Sequence, residues 1–368
     1  MARIDALLSR LVEEKGSDLH LGCGSPPRFR IRGHLEAVPG TLPLNDLEVG
    51  KFLVEITPPN LWKRYCDEND LDFAYTLPGV ARFRVNLHRQ VTGRGAVLRT
   101  IPEQIIPLEE LRMPASVESL AHLRDGLVLV TGPTGSGKST TLAAIVDCIN
   151  RTYARHIVTI EDPVEFVHQN KKSYFSHREV GRHTEGFAPA LRAAVRQDAD
   201  VLLVGEMRDY ETISLALTAA EMGLLVFGTL HTNSASKTID RLIDAFPAAQ
   251  QAQARLTLSE SLAAVVSQLL LRSVDGKRRV AAVEVLLRSP GLGNVIRENN
   301  TSMIYSMMQS SKEKGMQTMD LALLGLLKEG IISQDDAYQR ATDKGLFEKG
   351  GAAANAGAAA ATAAPARK

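Results

Sequence analysis

The stretch from 127 to 140, LVLVTGPTGSGKST, constrains the fold of this chain more than any other feature. An apolar run comes directly before the pattern GxxxxGK[ST], and an apolar helical pattern, TLAAIVDCI, follows it. Glycines at 132, 135 and 137 allow the backbone to curl so that successive N–H groups face a phosphate, while the helix adds the positive end of its dipole. A glycine-rich loop can arise by chance, but a strand before it and a helix after it are the context that a phosphate-binding loop needs. The sequence therefore predicts a nucleotide-binding P-loop followed by a helix that begins at Lys138.

The residue types in this loop predict individual roles. Lys138 would reach the β- and γ-phosphates, and the hydroxyl of Ser139 would ligate Mg²⁺. The residues predicted to line the nucleotide site are Thr134, Gly135, Ser136, Gly137, Lys138, Ser139 and Thr140.

Composition limits the classes to which the chain can belong. Its 368 residues, 44% of them hydrophobic, can bury a sizeable core and suggest about two domains. The charges of the 43 basic and 42 acidic residues nearly cancel, so no global charge attracts nucleic acid or anionic lipid, and only a local basic patch stays open.

Cys23, Cys66 and Cys148 lack CxxC pairing, which argues against disulfides or structural zinc and predicts buried, reduced thiols. The amphipathic N-terminus lacks a signal-peptide core and no apolar run approaches the ~20 residues of a membrane span, so we expect a cytoplasmic protein without membrane insertion.

The pattern of strands and turns predicts two domains of different class. Residues 1–101 alternate short strand-like runs with turns, and helical patterns cover 2–15 and roughly 45–66, which indicates a small α+β domain with an antiparallel sheet. Residues 102–116, which include Pro102, Pro107 and Pro114, are typical of a linker.

Beyond the linker, apolar strands alternate with helices, which predicts an α/β domain over 117–349 built on a parallel sheet. Its predicted strands include HIVTIED at 156–162, DVLLVGE at 200–206 and LLVFGTLHT at 224–232. After residue 250 we predict a helical C-terminal subdomain, with helices that include 251–272 and 316–345. The Ala-rich segment 350–368 is too small-chained to pack a core and is predicted to be a disordered tail, with a weakly helical run as the alternative.

Polar residues follow three of these strands. In an open parallel sheet the ligand sits outside the carboxyl ends of the strands, so such residues are candidates for function. Hydrolysis of a phosphate needs a carboxylate that positions or deprotonates water, and Glu206, directly after DVLLVG, is the first candidate. Glu165 would be its partner near Mg²⁺, and His231 would sense the γ-phosphate or support the site. For Glu161 and Asp162 a helix-cap or solvated-turn role stays equally open.

Four boxes in this order carry a family resemblance: GPTGSGKST, IEDPVEFVH, VLLVGEMRD and GTLHTNSA. They resemble the Walker A, Asp, Walker B and His boxes of the type II/IV secretion ATPase superfamily, and within it those of the type IV pilus retraction ATPases. GSDLHL, GVARFRV, SHREVG at 176–181 and GMQTMDLAL at 315–323 extend the likeness over nearly the whole chain.

The resemblance implies a PAS-like N-terminal domain, a RecA-like ATPase domain and a homohexameric ring that hydrolyses ATP with Mg²⁺. It implies catalytic roles for Glu206, Glu165 and His231, with Glu165 also near the metal. Arg84 and Arg99 occupy positions from which related ATPases present arginines to the nucleotide, and such guanidinium groups stabilise transferring phosphate charge. The alternative for these two arginines is a place on the exposed face of a strand.

The same resemblance implies partners and a place in the cell. The ring would act on an inner-membrane pilus platform protein (PilC-like), peripheral to the inner membrane at the pilus base, with a paralogous retraction ATPase as a further partner. GLGNVIRE at 291–298 departs from the signature associated with retraction, so an accessory retraction ATPase is the alternative. A nucleic-acid-translocating motor and a non-hydrolysing ATP-binding module are further hypotheses, disfavoured by the charge balance and by the complete set of catalytic residue types.

Overall fold

The computed structural model describes residues 2–31, 33–101, 104–276 and 278–348. The predicted tail at 350–368 and Pro102 of the predicted linker therefore lie outside the described residues. The chain forms two compact units, and each unit is described over the residue ranges given above. Unit 1 comprises Met1–Ile105, Ile160–Gln169 and His177–Gly186, and unit 2 comprises Ile106–Thr159, Asn170–Ser176 and Phe187–Lys368.

Unit 1 contains an antiparallel sheet of six strands among its described residues, in the order β3-β2-β1-β6-β5-β4. The strands are β1 Asp18–Gly22, β2 Arg28–Ile31, β3 His34–Ala37, β4 Asp70–Leu77, β5 Ala81–Gln90 and β6 Gly93–Ile101. Strand β5 alternates strictly between buried and half-buried residues over most of its length, because a sheet with one covered face requires a period of two. Its inward side chains, Phe83, Val85 and Leu87, are fully buried in the core.

The described residues of unit 1 contain three helices: α1 Asp5–Glu13, α2 Asp46–Ile56 and α3 Pro59–Glu68. Helix α2 begins with a capping box, in which Asn45 accepts from the Glu48 amide and Glu48 accepts from the Asn45 amide. The single helix predicted over roughly 45–66 is two helices, because Thr57 precedes Pro58 and adopts an extended conformation.

The second sheet has seven strands in the described part of the chain, in the order β13-β12-β7-β11-β10-β8-β9. Most of its residues belong to unit 2, whereas the last residues of β8 and β9 belong to unit 1. These strands are β7 Gly126–Thr131, β8 His156–Glu161, β9 Tyr174–Glu179, β10 Val201–Val204, β11 Leu225–Leu230, β12 Leu262–Arg272 and β13 Arg279–Leu287. Strands β12, β7, β11 and β10 are parallel, as predicted for an α/β domain, and β13 joins β12 antiparallel. Every residue of β7, β10 and β11 is buried, which explains their uninterrupted apolar sequences.

Ten α-helices of unit 2 are described: α4 Ala115–Glu118, α5 Lys138–Thr152, α6 Phe187–Ala194, α7 Tyr210–Glu221, α8 Ala235–Asp244, α9 Gln251–Ser261, α10 Pro290–Arg297, α11 Ile304–Ser310, α12 Met319–Lys328 and α13 Gln334–Arg340. Helix α5 begins at Lys138, as the sequence predicted. Helices α12 and α13 share a separate apolar cluster with Leu271 of β12 and Ala282 of β13. The helix predicted over 316–345 is therefore two shorter helices, α12 and α13.

The predicted helix over 251–272 is wrong in its second half. Helix α9 ends at Ser261, and the following residues, LAAVVSQLLLR, form β12 at the centre of unit 2. A continuous apolar run is compatible with a buried helix or a buried strand, and periodicity alone does not distinguish them. Pairing with β7 and β13 decides in favour of the strand.

Two smaller observations concern membrane spans and cysteines. No helix within the described ranges is long and apolar enough to span a membrane. The three cysteines are free, but the prediction that all are buried is wrong, because Cys66 is exposed and Cys23 and Cys148 are half-buried.

Candidate active site

The P-loop leaves β7 at Thr131 and enters α5 at Lys138. Gly132 has φ +145° and Gly137 has φ +89°, both in the region that favours glycine. A Cβ on Gly132 would lie 2.3 Å from the carbonyl oxygen of Gln268, and one on Gly137 would lie 2.8 Å from Nε2 of Gln268. Both glycines are therefore required by backbone conformation and by close packing against β12.

Gln268 clamps the loop from the neighbouring strand. Its Nε2 donates to the Ser136 carbonyl at 2.7 Å, and its Oε1 accepts from the Thr141 hydroxyl at 2.8 Å. Gln268 is 3% exposed, so both bonds form away from water. One side chain thus fixes the loop and the first turn of α5, which is the preorganisation that phosphate binding demands.

The Lys138 side chain folds back onto the P-loop. Its Nζ donates to the carbonyls of Gly132 at 2.9 Å and of Pro133 at 3.2 Å, and the residue is buried. An ammonium group aimed across the loop mouth is well placed to meet a phosphate.

Two hydroxyl groups of the loop and of the first turn of α5 suit a nucleotide bound with Mg²⁺. The buried Ser136 hydroxyl has no hydrogen-bond partner among the described residues, and the half-buried Ser139 hydroxyl stands in the first turn of α5. Mg²⁺ takes few protein ligands and completes its shell with phosphate oxygens and water. The finding that no three His, Cys, Asp or Glu residues cluster as a metal site, in the ranges that the structure describes, is compatible with such a site.

Glu206 and His231 lie next to each other at the ends of β10 and β11. His231 Nε2 is 3.1 Å from Glu206 Oε1, and Arg208 Nε is 2.5 Å from the same oxygen. The Thr229 hydroxyl donates to the Gly205 carbonyl and the Met207 amide donates to the Thr229 carbonyl, so the two strand ends are fastened together. The structure therefore brings together two of the predicted catalytic residues and adds Arg208, which the sequence analysis did not single out.

Glu165 is part of unit 1, together with Arg84. Arg84 Nη1 lies 3.7 Å from Glu165 Oε1, and Arg84 Nε lies 3.7 Å from an Asp72 oxygen. The Glu165 amide points to the Glu161 carboxylate at 3.4 Å. Glu161, the last residue of β8, is therefore a local partner of the segment that carries Glu165.

Arg82 fastens this acidic segment to β5. Its Nε donates to the Val164 carbonyl at 2.9 Å, and its Nη2 donates to Glu179 Oε2 at 3.0 Å. Glu179 also accepts from the Val164 amide at 3.2 Å and is 3% exposed. Sequence reasoning missed both Arg82 and Glu179, because alternation of arginines along a strand does not reveal which arginine has a buried partner.

Arg84 and Arg99 face the same side of the sheet in unit 1. They pair directly across β5 and β6, and Asp18 of β1 pairs with Arg99. Arg99 Nε donates to Asp18 Oδ1 at 2.8 Å. Burial alone raises the pKa of Asp18, but hydrogen bonds from Arg99 and Ser17 and the charge of Arg99 outweigh it, so the pKa lies below its usual value.

The remaining loop residues differ in exposure. Thr134 and Gly135 are exposed and Thr140 is half-buried. Each predicted site residue in unit 2 lies on the P-loop, in the first turn of α5 or at a strand end of the same sheet, and each predicted site residue in unit 1 lies on β5, on β6 or in the 160–169 segment.

Comparison with known proteins gives consistent matches. The model of the family "Type II/IV secretion system protein" matches residues 1–322. The chain is 49% identical over 338 residues to the "Type IV pilus retractation ATPase PilT" of Pseudomonas aeruginosa, covering 92% of this chain and 98% of that protein. It is 38% identical over 337 residues to the "Type IV pilus ATPase PilU" of the same organism, covering 92% and 88%. The solved structure "Crystal Structure of the Pilus Retraction Motor PilT and Bound ADP" matches with a TM-score of 0.85 and 42% identity, covering 93% of this chain and 98% of that one.

Proposed function

This chain belongs to the type II/IV secretion system protein family, and on that premise we propose that it is the ATPase motor that retracts type IV pili. The observation that carries the proposal is the 49% identity to a pilus retraction ATPase across nearly the full length of that protein. The lower identity, 38%, to the pilus ATPase PilU favours the principal retraction motor over an accessory one.

Nucleotide binding in this proposal belongs to the P-loop. The amides of Thr134, Gly135, Ser136 and Gly137 and the ammonium of Lys138 surround the β- and γ-phosphates, and the amides of Ser139 and Thr140 complete the loop at the helix dipole. The Ser139 hydroxyl and the Glu165 carboxylate are the groups proposed to hold Mg²⁺, directly or through water. Bound there, Mg²⁺ would neutralise charge on the phosphate oxygens.

Hydrolysis is assigned to Glu206 as the base that orients and deprotonates water. His231, 3.1 Å away, and Arg208 hold its carboxylate at the strand end, which favours one orientation of the acid. Glu165 acts with Glu206 on the water in this proposal, and Arg84 and Arg99 stabilise charge on the transferring phosphoryl group.

Coupling to movement follows from which residues share unit 1. Glu165, Arg84 and Arg99 all belong to it, so any motion of unit 1 carries the three together. We propose that hydrolysis is thereby tied to domain motion within a homohexamer. As proposed bounds along the sequence we retain 1–101 for the N-terminal domain, 102–116 for the linker, 117–349 for the ATPase domain and 350–368 for the tail, with the segments 160–169 and 177–186 of the ATPase range grouped in unit 1.

The proposed partners are an inner-membrane pilus platform protein and a paralogous retraction ATPase. The proposed location is the cytoplasmic face of the inner membrane at the pilus base. The charge balance gives no support to direct binding of nucleic acid.

The test is live imaging of fluorescently labelled pili in cells that lack this gene, with the gene restored on a plasmid as the control. We expect extended pili that no longer retract, and retraction that returns with the plasmid. Unchanged retraction in the deletion strain would contradict a principal motor. That result would instead support the accessory retraction ATPase.

A further inference from the structure

A cavity of about 230 Å³ lies beside the P-loop within unit 2. Its wall comprises loop residues 133–136, strand residues 269–271 and Arg340 at the end of α13. The volume is below the roughly 300–1,000 Å³ of a complete small-molecule site, so the cavity suits part of a ligand whose phosphates occupy the adjoining loop.

Strand β12 forms one wall because it is longer than its neighbour. The pairing of β12 with β7 ends at Ser267 and Thr131, whereas its pairing with β13 continues to Arg272. The residues after Ser267 therefore pass alongside the P-loop, and Gln268 fixes this overhang to the loop through the Ser136 carbonyl. A wall so fixed presents a preformed surface to a ligand.

The sheet order indicates which part of the nucleotide would enter. Strand β7, which leads into the P-loop, has β12 on one side and β11 and then β10 on the other. Glu206 and His231 follow β10 and β11, so the triphosphate end that they act on points to that side. The cavity is on the β12 side, where the base and ribose must extend. This step rests on the proposed function.

Contacts of the neighbouring residues fix the backbone of Arg340 beside the cavity. Ala337 and Ala341 on either side of it are buried in the C-terminal apolar cluster, and Asp320 accepts from the amides of Thr342 and Asp343 at 2.8 and 3.1 Å. The Arg340 side chain itself is exposed, and within the described part of the chain its guanidinium has no hydrogen-bond or ion-pair partner. An anchored backbone with an uncommitted planar cation over a cavity is suited to cover a flat ring.

We propose that Arg340 determines nucleotide specificity by stacking its guanidinium on the purine base. A guanidinium stacks on aromatic faces through its delocalised plane, and the compact ammonium of lysine lacks such a plane. Because the base does not react, the contact contributes equally to the ground state and the transition state, and affects KM rather than kcat.

The experiment compares the full chain with Arg340→Ala, Arg340→Lys and the control Lys328→Ala. Lys328 is a basic residue in the last turn of α12 that does not line the cavity. Binding of ADP and of inorganic tripolyphosphate is measured by calorimetry, and kcat/KM is measured for ATP and CTP. We expect Arg340→Ala to weaken ADP binding by about three- to thirtyfold and to narrow the preference for ATP over CTP, with tripolyphosphate binding unchanged. Arg340→Lys should not restore ADP binding, and Lys328→Ala should match the wild type.

Three results would overturn the stacking role: unchanged ADP affinity in Arg340→Ala, an equal loss of tripolyphosphate affinity, or full restoration by lysine. The last two indicate a phosphate contact. A folded Arg340→Ala variant is verified by an unchanged melting temperature. If the wild type neither binds ADP nor hydrolyses ATP, the proposed function itself is contradicted. If the wild type is active and Arg340→Ala has the same ADP affinity, only this inference is contradicted.

Discussion

At the scale of single residues, Gln268 and Asp18 support parts of the proposed site, the P-loop and Arg99. Neither carries the chemistry itself. Gln268 fixes the backbone of the P-loop from β12, and Asp18 fixes Arg99 from the adjacent strand. The sequence analysis proposed residues to meet ATP but did not identify these supports. A motif identifies reacting residues, whereas a support is defined by a contact between distant segments, here 132 and 81 residues apart.

Replacing Gln268 by alanine should impair nucleotide binding. The change removes both hydrogen bonds and leaves the Ser136 carbonyl and the Thr141 hydroxyl without their partner. Each unsatisfied buried group should lower the free energy of unfolding by about 1–3 kcal/mol. We expect KM for ATP to rise and kcat to fall in a steady-state phosphate-release assay. Gln253→Ala, at an exposed position of α9, is the control. Wild-type kinetics in the Gln268 variant would show that the loop does not need its clamp.

Asp18 should make stability depend on pH in the acidic range. Because its folded pKa lies below the ordinary value of 3.8, the ionised form stabilises the fold above that value, and the contribution disappears as pH falls through the folded pKa. Asp18→Asn should lower the free energy of unfolding near pH 7 and flatten its decline below about pH 4. Urea denaturation at a series of pH values measures both effects.

The control for this series is Asp72→Asn. Asp72 is 44% exposed and lies 3.7 Å from Arg84, so its pair should contribute only about 0–1 kcal/mol. If the free energy of unfolding of Asp18→Asn depends on pH as that of the wild type does, the pairing of Asp18 with Arg99 does not contribute to stability.

At the scale of elements, the strand, loop and helix around Gly132 were predictable because their signals are local. The apolar run, the glycine spacing and the start of α5 can each be recognised within about 25 residues. Strand β12 was not predictable in the same way, because LAAVVSQLLLR has no period that separates a buried strand from a buried helix. With β12 assigned to a helix, neither Gln268 nor the cavity beneath Arg340 could be found.

The packing of the P-loop against β12 leads to a test with two glycines. In Gly132→Ala the new Cβ would lie 2.3 Å from the Gln268 carbonyl at φ +145°, so the loop or the strand must shift. We expect a lower melting temperature and loss of ADP binding. In Gly325→Ala, in the middle of α12, the new Cβ would meet no atom within 4 Å apart from its chain neighbours and the backbone of its own helix. The free energy of unfolding should therefore rise by about 0.5–1 kcal/mol. Full ADP affinity in Gly132→Ala would contradict the close packing described.

At the scale of the whole molecule, the chain does not divide as its linear order suggests. The segments 160–169 and 177–186 come after the P-loop in sequence, yet they fold with the N-terminal residues in unit 1. Arg82 of β5 and Glu179 of the 177–186 segment form an ion pair at 3.0 Å within this unit, in which the Glu179 side chain is buried. No local pattern in the sequence encodes such a pairing, which depends on the three-dimensional arrangement of both segments.

The central claim is that ATP hydrolysis at Glu206 drives pilus retraction. The most direct measurement is the retraction of single labelled pili in cells whose only copy of the gene carries Glu206→Gln, compared with the matched variant Glu221→Gln at the exposed end of α7. The purified Glu206→Gln protein should bind ATP normally while its kcat falls by about a hundredfold or more, since removal of a general base has that effect. In the cells we predict extended pili that do not retract, and normal retraction with Glu221→Gln. Normal retraction with Glu206→Gln, at equal protein levels, would contradict the account.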